Sequence, residues 1–310
     1  MAAALADDHR EDLIVGRRFW KMSGSGNDFV VFDVRVETAG ALERPEVIQE
    51  LCSRGTGIGA DGVVFVAGAE RPEASVAMRY YNSDSSRVDF CGNATLCVAR
   101  LAHELGVARK GELAIETDSG VVAARMGAAG PEIDLPAVTV VSASVDIEVE
   151  PGELRIGFAL VGVPHLVVRC EDVEMVNVAA RGRLLRHSDF RAAGANVNFV
   201  SQRGSVWSMR TFERGVEGET LACGSGAIAA AILLDAWKES GDETLLITRS
   251  GRTLAAKLAR DGARWMPTLG GEGRIVFTGE LAEGVSKAAD RQVESARQAD
   301  CGLDRSGGEL

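Results

Sequence analysis

The sequence lacks the features that place a chain among membrane, secreted or nucleic-acid-binding proteins. Its longest apolar run, residues 227–234, is far too short to span a bilayer. Residues 1–16 have neither the basic end nor the apolar stretch of a signal peptide. Lys and Arg total 34 against 45 for Asp and Glu, a net charge of −11 that argues against nucleic acid or an anionic membrane as a partner. We therefore expect a cytoplasmic protein, and a locally positive pocket could still bind a small anionic substrate.

The cysteines also lack the spacing of a metal site or of a local redox pair. There is no CxxC pair and no metal-type pattern of cysteine with histidine. In a reducing compartment we expect free thiols, without a structural metal. The six cysteines are Cys52, Cys91, Cys97, Cys170, Cys223 and Cys301.

What the sequence does contain is an internal repeat. The dipeptide Met-Arg begins at Met78 and again at Met209, and Cys-Gly begins at Cys91 and again at Cys223. Two further matches precede these in the same order and at nearly the same spacing: "GADGVVFV" (59–66) with "GANVNFV" (194–200), and "GNDFVV" (26–31) with "GVPHLVV" (162–168). Four ordered matches indicate an ancient duplication.

The pattern predicts an α+β fold with two pseudo-symmetric lobes, each a mixed β-sheet rolled around a central helix. Runs rich in β-formers are separated by turn signals, whereas the apolar stretches 94–106 and 226–241 predict one mostly buried helix per half. The strand–helix alternation of a doubly wound nucleotide-binding fold is missing. The predicted divisions are an N-terminal tail (1–16), an N-terminal lobe (17–134), a C-terminal lobe (135–284) and a charged C-terminal tail expected to be disordered (285–310).

Cys91 and Cys223 each stand just before the first turn of a predicted buried helix. A helix start has unpaired N–H groups and the positive end of the helix dipole. We expect these N–H groups to bind a carboxylate and the pKa of a thiol placed there to be lowered. Cys52, Cys97 and Cys170 are interpreted as core residues instead.

Two similar halves that face each other would present both thiols to one carboxylate ligand from opposite sides. One thiolate could remove a proton from Cα while a thiol on the other face delivers one, which inverts the carbon. The helix starts would stabilise the negative charge that spreads into the carboxylate. This chemistry requires neither pyridoxal phosphate nor a metal, so we expect no cofactor.

Several motifs, in order, resemble those of the diaminopimelate epimerase family, pyridoxal-independent isomerases of lysine and cell-wall biosynthesis. They extend from about Phe19 to Glu280 and read "KMSGSGNDFVVFD", "GIGADGVVFV", "RYYNSDSSRVDFCGN", "GVPHLVV", "ANVNFV" and "FERGVEGETLACGSGA". The resemblance implies a cofactor-free two-thiol enzyme, usually a homodimer, that interconverts L,L- and meso-diaminopimelate.

The resemblance also implies a role for each matched residue. Cys91 would donate the proton and Cys223 would accept it in the L,L-to-meso direction, while His165 and Glu213 would tune the two thiols. Backbone N–H groups at the helix starts would hold the reacting carboxylate, namely those of Gly92, Asn93, Gly224 and Ser225. Further polar residues would bind the rest of the substrate, namely Asn27, Asn82, Asn196, Glu213 and Arg214.

The charges of diaminopimelate suit some of these residues independently. The planar guanidinium of Arg214 matches the distal carboxylate, and Glu213 matches an ammonium group. The sequence departs from the family at Val163, where Asn is frequent, at Leu96, where Arg is commoner, and at Gly62, where some members have Gln. These departures affect the identity of the expected substrate, whereas both cysteines match the family motifs.

Three other functions are compatible with parts of the pattern. A related racemase of proline, hydroxyproline or histidine would share the build, and Val163 leaves room for it. A thiol–disulfide redox module could use the same two cysteines, although such motifs normally pair cysteines locally. A non-catalytic amino-acid-binding protein would not need two thiols.

Overall fold

The computed structural model describes residues 14–108, 112–188, 190 and 194–282. Within these ranges, no helix is long and apolar enough to cross a membrane. Most of the predicted N-terminal tail and all of the predicted C-terminal tail, including Cys301, lie outside the described residues.

The strands of the first half pair in a mixed pattern. They are β1 (Arg18–Gly24), β2 (Asn27–Asp33), β3 (Gly62–Ala67), β4 (Val76–Asn82), β5 (Arg87–Val88), β6 (Glu112–Thr117), β7 (Gly120–Gly127) and β8 (Gly130–Asp134). Strand β2 pairs antiparallel with β1 and parallel with β3. Strand β4 pairs antiparallel with β3 and β5 and parallel with β6, and β6, β7 and β8 continue antiparallel.

The second half follows the same order of pairings. Its strands are β9 (Val141–Ser142), β10 (Glu153–Val161), β11 (Val163–Cys170), β12 (Asn196–Arg203), β13 (Val206–Glu213), β14 (Gly218–Thr220), β15 (Glu243–Ile247), β16 (Thr253–Asp261), β17 (Arg264–Gly270) and β18 (Arg274–Glu280). Strand β11 pairs antiparallel with β10 and parallel with β12. Strand β13 pairs antiparallel with β12 and β14 and parallel with β15, and β15, β16 and β17 continue antiparallel.

The two halves are joined by pairings between their strands. Strand β18, the last of the described chain, returns to pair with β1, whereas β9 pairs with β10 within the second half. Strand β8 pairs with β17, so all 18 strands belong to one hydrogen-bonded sheet. The predicted α+β class with a mixed sheet is confirmed. The duplication and the boundary at residue 134 stay predictions.

Among the described residues, four α-helices pack on this sheet: α1 (Pro45–Cys52), α2 (Gly92–Glu104), α3 (Val178–Arg186) and α4 (Gly224–Ala236). Helix α2 packs against β1, β7 and β8, and α4 packs against β10, β11 and β16. Helix α4 is rich in alanine, the strongest helix former, and is buried along nearly its whole length. The two predicted buried helices are therefore confirmed, each beginning two residues before the predicted range.

The core consists of one shared cluster and two flanking clusters. The shared cluster contains the apolar residues of both α2 and α4, so the two halves share one interior. Strand β3 shows how the layers are divided, because successive side chains point to opposite faces. Its Val64 and Val66 join the shared cluster, whereas Val63 and Phe65 pack with α1 in a flanking one. Cys52, Cys97 and Cys170 are buried free thiols, as predicted.

Leu269 on β17 lies against the first turns of both α2 and α4. A Cβ on Gly92 would come within 3.1 Å of a Leu269 methyl carbon, and one on Gly224 within 2.8 Å. Only glycine lets both helix starts approach this side chain so closely. Leu269 is therefore part of the packing that sets the positions of the two helix starts.

We expect Leu269→Ala to lower the free energy of unfolding by about 2–5 kcal/mol, because it leaves a cavity below both helix starts. Equilibrium urea denaturation measures this difference. Leu245→Ala on β15 is the control, because Leu245 is 44% exposed and Leu269 is fully buried. The control should change stability by no more than about 0.5 kcal/mol. Equal losses in both variants would contradict this assignment of the core.

Candidate active site

Cys91 and Cys223 are the N-cap residues of α2 and α4. Their backbones are nearly superimposable in conformation, with φ and ψ of −140° and 113° at Cys91 and of −133° and 110° at Cys223. In this conformation the sulfur faces the first backbone N–H groups of the helix. The N–H groups of Asn93 and Ala94 act to lower the pKa of the Cys91 thiol, and that of Gly226 acts to lower the pKa of the Cys223 thiol.

The two helix starts lie against each other. Besides their common contact with Leu269, a Cβ on Gly224 would lie 3.5 Å from the Asn93 side-chain oxygen. That oxygen is buried and has no hydrogen-bond partner within the described chain. The structure therefore brings together the residues predicted to hold the carboxylate, namely Gly92, Asn93, Gly224 and Ser225.

Around Cys91, the predicted residue Asn27 supplies a neutral acceptor. The Cys91 thiol lies 3.9 Å from Asn27 Oδ1, and Asn93 Nδ2 donates to the same oxygen at 3.4 Å. The other end of the Asn27 amide donates to Asp61 Oδ2 at 2.7 Å. Because a carboxylate only accepts, Asp61 turns the carbonyl end of Asn27 toward the thiol. The Asp61 carboxylate is itself held by Arg54 Nη2 at 2.7 Å.

Around Cys223, the neighbours are a carboxylate and a hydroxyl. Glu213, the last residue of β13, contacts the Cys223 thiol and influences its pKa. The Ser225 hydroxyl lies 3.6 Å from the Cys223 sulfur. The two thiols therefore have matching backbones and different partners: an amide oxygen beside Cys91 and a carboxylate beside Cys223.

The prediction that the helix starts lower the pKa of both thiols is wrong, because both pKa values are raised. Burial raises the pKa of the Cys91 thiol to about 11, although the N–H groups of Ala94 and Asn93 act in the opposite direction. Burial and the negative charge of Glu213 raise the pKa of the Cys223 thiol well above its usual value. The free energy lost when a thiolate is removed from water is larger than the stabilisation that two or three nearby N–H groups provide.

The pKa of the Glu213 carboxyl is raised by burial, while its hydrogen bond with Cys223 acts in the opposite direction. The pKa values of Glu213 and Cys223 therefore both depend on one buried contact. A raised pKa makes the carboxylate a stronger base than an exposed one.

Arg214 and Asn196 meet at the end of β13. The Arg214 backbone N–H donates to Asn196 Oδ1 at 2.8 Å, which fixes the start of the loop after β13. The Arg214 guanidinium forms no ion pair with any carboxylate of the described residues, so it is available to an anion. Asn82 is engaged locally instead, accepting from Tyr80 and donating to Ser86, and it has no hydrogen bond to either cysteine.

His165, on β11, is fully buried and pairs with Asn196 across the parallel strands. Its pKa is lowered to about 3 by burial and, secondarily, by the positive charge of Arg214. Its Nδ1 lies 3.2 Å from the side-chain nitrogen of Asn198, which is also fully buried.

Two residues of this site were missed from the sequence, Asp61 and Asn198. Both lie inside motifs that the sequence singles out, "GADG" and "ANVNF", and Asn198 is two positions from Asn196, which has a predicted role. Alternation along a strand offered a signal for Asn198, because residues 196 and 198 point to the same face. Among the described residues, no group of three or more His, Cys, Asp or Glu side chains is placed to hold a metal ion.

Comparison with known proteins identifies the family. The family model for diaminopimelate epimerase matches residues 19–141 and 157–273, which is more than half of the chain. The diaminopimelate epimerase of Gemmatimonas aurantiaca is 46% identical over 275 residues, covering 85% of this chain and 99% of that protein. That of Aquifex aeolicus is 37% identical over 278 residues, covering 86% and 98%.

Solved structures show the same fold at much lower identity. A phenazine biosynthesis protein of the PhzF family from Bacillus anthracis aligns with a TM-score of 0.65 at 15% identity, covering 86% of this chain and 98% of that one. A hydroxyproline epimerase from Agrobacterium vitis, with trans-4-hydroxy-L-proline bound, aligns with a TM-score of 0.63 at 19% identity, covering 86% and 93%. The fold thus occurs in proteins of different names, whereas the two sequence relatives above are both diaminopimelate epimerases, and the chain belongs to the diaminopimelate epimerase family.

Proposed function

We propose that this chain interconverts L,L- and meso-diaminopimelate by proton exchange at one α-carbon, with Cys223 and Cys91 as the two acid–base groups. As a member of its family the chain is an isomerase. The observation that carries the two-thiol mechanism is the pair of adjoining helix starts, each with a cysteine at its N-cap in the same backbone conformation.

The reacting carboxylate would lie between these helix starts. Backbone N–H groups at the beginning of a helix form a site for an anion, and two helices directed at one carboxylate would double that effect. In the transition state, negative charge moves from Cα into the carboxylate, so donors fixed in advance stabilise the transition state more than the ground state.

The different partners of the two thiols suit different starting roles in the L,L-to-meso direction. Glu213 would take the proton of Cys223, and the resulting thiolate would remove the proton from Cα. Cys91 would remain a thiol, aligned by the Asn27 oxygen 3.9 Å from its sulfur, and would deliver its proton to the opposite face. In the reverse direction the two thiols exchange roles.

Burial of the thiols has a consequence for the timing of ionisation. Burial raises the pKa of both thiols and so favours their protonated form. The ammonium group of a bound substrate would bring positive charge close to them and favour a thiolate. The reactive form would therefore develop when the substrate is bound.

The rest of the substrate would be held by polar groups that are placed around the thiols. The free guanidinium of Arg214 suits the distal carboxylate, which a bidentate pair binds with defined geometry. Asn196 holds the backbone of Arg214 in position. Asn82 would have to release Tyr80 or Ser86 to reach the substrate.

A related amino-acid racemase is the second candidate. The specific observation in its favour is Val163, the first residue of β11, in the position where the family often has an amide that helps to hold the substrate. The free guanidinium of Arg214 favours the longer substrate, because proline and hydroxyproline have no second carboxylate. We also propose a homodimer in the cytoplasm, as the family resemblance implies.

The first test is turnover in cysteine variants. Cys91→Ala and Cys223→Ala should each reduce epimerisation by roughly 100-fold or more, because each removes the acid or base from one face. The rate is measured with a coupled assay that follows the conversion of L,L-diaminopimelate to the meso form. Cys97→Ala is the matched control, a buried cysteine six residues further along the same segment, and should keep near-normal turnover. Near-normal turnover in either N-cap variant would refute the two-thiol mechanism.

The second test addresses the contact between Glu213 and Cys223. We expect Glu213→Gln to lower the pKa of the Cys223 thiol, because the carboxylate charge is among the causes that raise it. The pH dependence of Cys223 alkylation, followed by peptide mass spectrometry, measures this pKa. Alkylation of Cys91 in the same samples is the internal control. An unchanged or higher pKa at Cys223 would show that the carboxylate does not act on this thiol.

The third test concerns the substrate. Arg214→Gln should raise KM for diaminopimelate at least about tenfold, because it removes a charged hydrogen bond worth roughly 1.5–3 kcal/mol. A screen of the wild-type enzyme with diaminopimelate, proline, hydroxyproline and histidine separates the two candidate functions. Faster turnover of a cyclic amino acid than of diaminopimelate would favour the racemase.

A further inference from the structure

The buried side chain of Asn198 makes a complete set of hydrogen bonds within the described chain. Its Nδ2 donates to the Leu166 carbonyl oxygen at 3.1 Å and lies 3.2 Å from His165 Nδ1. Its Oδ1 accepts from the Thr211 hydroxyl at 3.0 Å. Asn198, His165 and Thr211 are all buried, so the hydrogen bonds between them are shielded from bulk solvent.

These contacts fix which way the Asn198 amide points. A backbone carbonyl can only accept a hydrogen bond, so the atom facing the Leu166 oxygen must be the NH₂ group. In the flipped orientation two oxygens would face each other at that position. The second hydrogen of the NH₂ group is then directed at His165 Nδ1.

The orientation of the amide in turn determines the proton on the imidazole. Because Asn198 donates to Nδ1, that nitrogen must present its lone pair, and the single proton of the neutral ring must be on Nε2. A charged ring would place an N–H at Nδ1 against the NH₂ group, and the low pKa of His165 agrees with a neutral ring. Nε2 is buried and has no partner among the described residues.

We propose that Asn198 is a positioning residue that holds His165 as the Nε2–H tautomer, so that the ring presents a hydrogen-bond donor at Nε2 instead of a base. The placement of Asn198 close to Cys223 supports this role. A Cβ on Gly226, in the first turn of α4, would lie 2.2 Å from Asn198 Oδ1 and 3.2 Å from the Cys223 sulfur. Because Gly226 has no side chain, the Asn198 amide fits close to the Cys223 thiol.

The assignment of the tautomer rests on these contacts alone, whereas its effect on turnover rests on the proposed function. In that reaction, His165 could stabilise an anion through Nε2–H, and it could not accept the proton of a thiol there. Glu213 would then be the base on the thiol side, and His165 would act by hydrogen bonding.

Nitrogen NMR of the enzyme labelled with ¹⁵N-histidine tests the tautomer directly. At neutral pH, the His165 ring should show a protonated Nε2 and an unprotonated Nδ1, assigned by the loss of its signals in His165→Gln. A wild-type ring with the proton on Nδ1, or a positively charged ring, would overturn the proposal whether or not the enzyme is an epimerase.

Two variants separate positioning from a structural effect. In Asn198→Asp the carboxylate can only accept, so the proton should move to Nδ1 and kcat should fall on the order of 100-fold, as for other misplaced active-site groups. Thr211→Val removes the hydrogen bond at the other end of the amide and should keep the Nε2–H tautomer. An unchanged tautomer in folded Asn198→Asp, or a switched one in Thr211→Val, would refute the role of Asn198.

Discussion

The close approach of two helix starts is the constraint on which the rest of the site depends. Gly92 and Gly224 both lie against Leu269, and a Cβ at either position would crowd a methyl carbon of that side chain. With the helices in this place, the N-cap cysteines, the bare N–H groups and the shared core all adopt fixed positions. The pairings of β18 with β1 and of β8 with β17 connect the two halves around them.

Burial has two opposing effects on this site: it strengthens electrostatic interactions and it disfavours the thiolate form of both cysteines. A buried site strengthens interactions with the charge that develops on the substrate, and the same burial raises the pKa of both thiols. The asymmetry between the thiols comes from their neighbours, since their backbones match. An amide oxygen held by Asp61 lies near Cys91, and the Glu213 carboxylate lies near Cys223.

The sequence predicts what depends on local pattern or on the repeat. Strand β3 and the buried helices follow from apolar runs, and the N-cap cysteines follow from the matched Cys-Gly pairs. The direction of the thiol pKa shift could not be predicted, because it depends on how deeply distant strands bury the helix starts. The roles of Asp61 and Asn198 depend on contacts between strands, which no local pattern specifies.

The central claim is that two different thiols act on opposite faces of one carbon. Its most direct test is the early conversion of L,L-diaminopimelate in heavy water, with deuterium measured separately in product and remaining substrate. Two thiols predict meso product that carries one deuterium at the inverted carbon, and remaining substrate with almost none, because the removed proton and the delivered deuteron occupy different groups. Product that retains the original proton would contradict the account, because a single group would then have carried it from one face to the other.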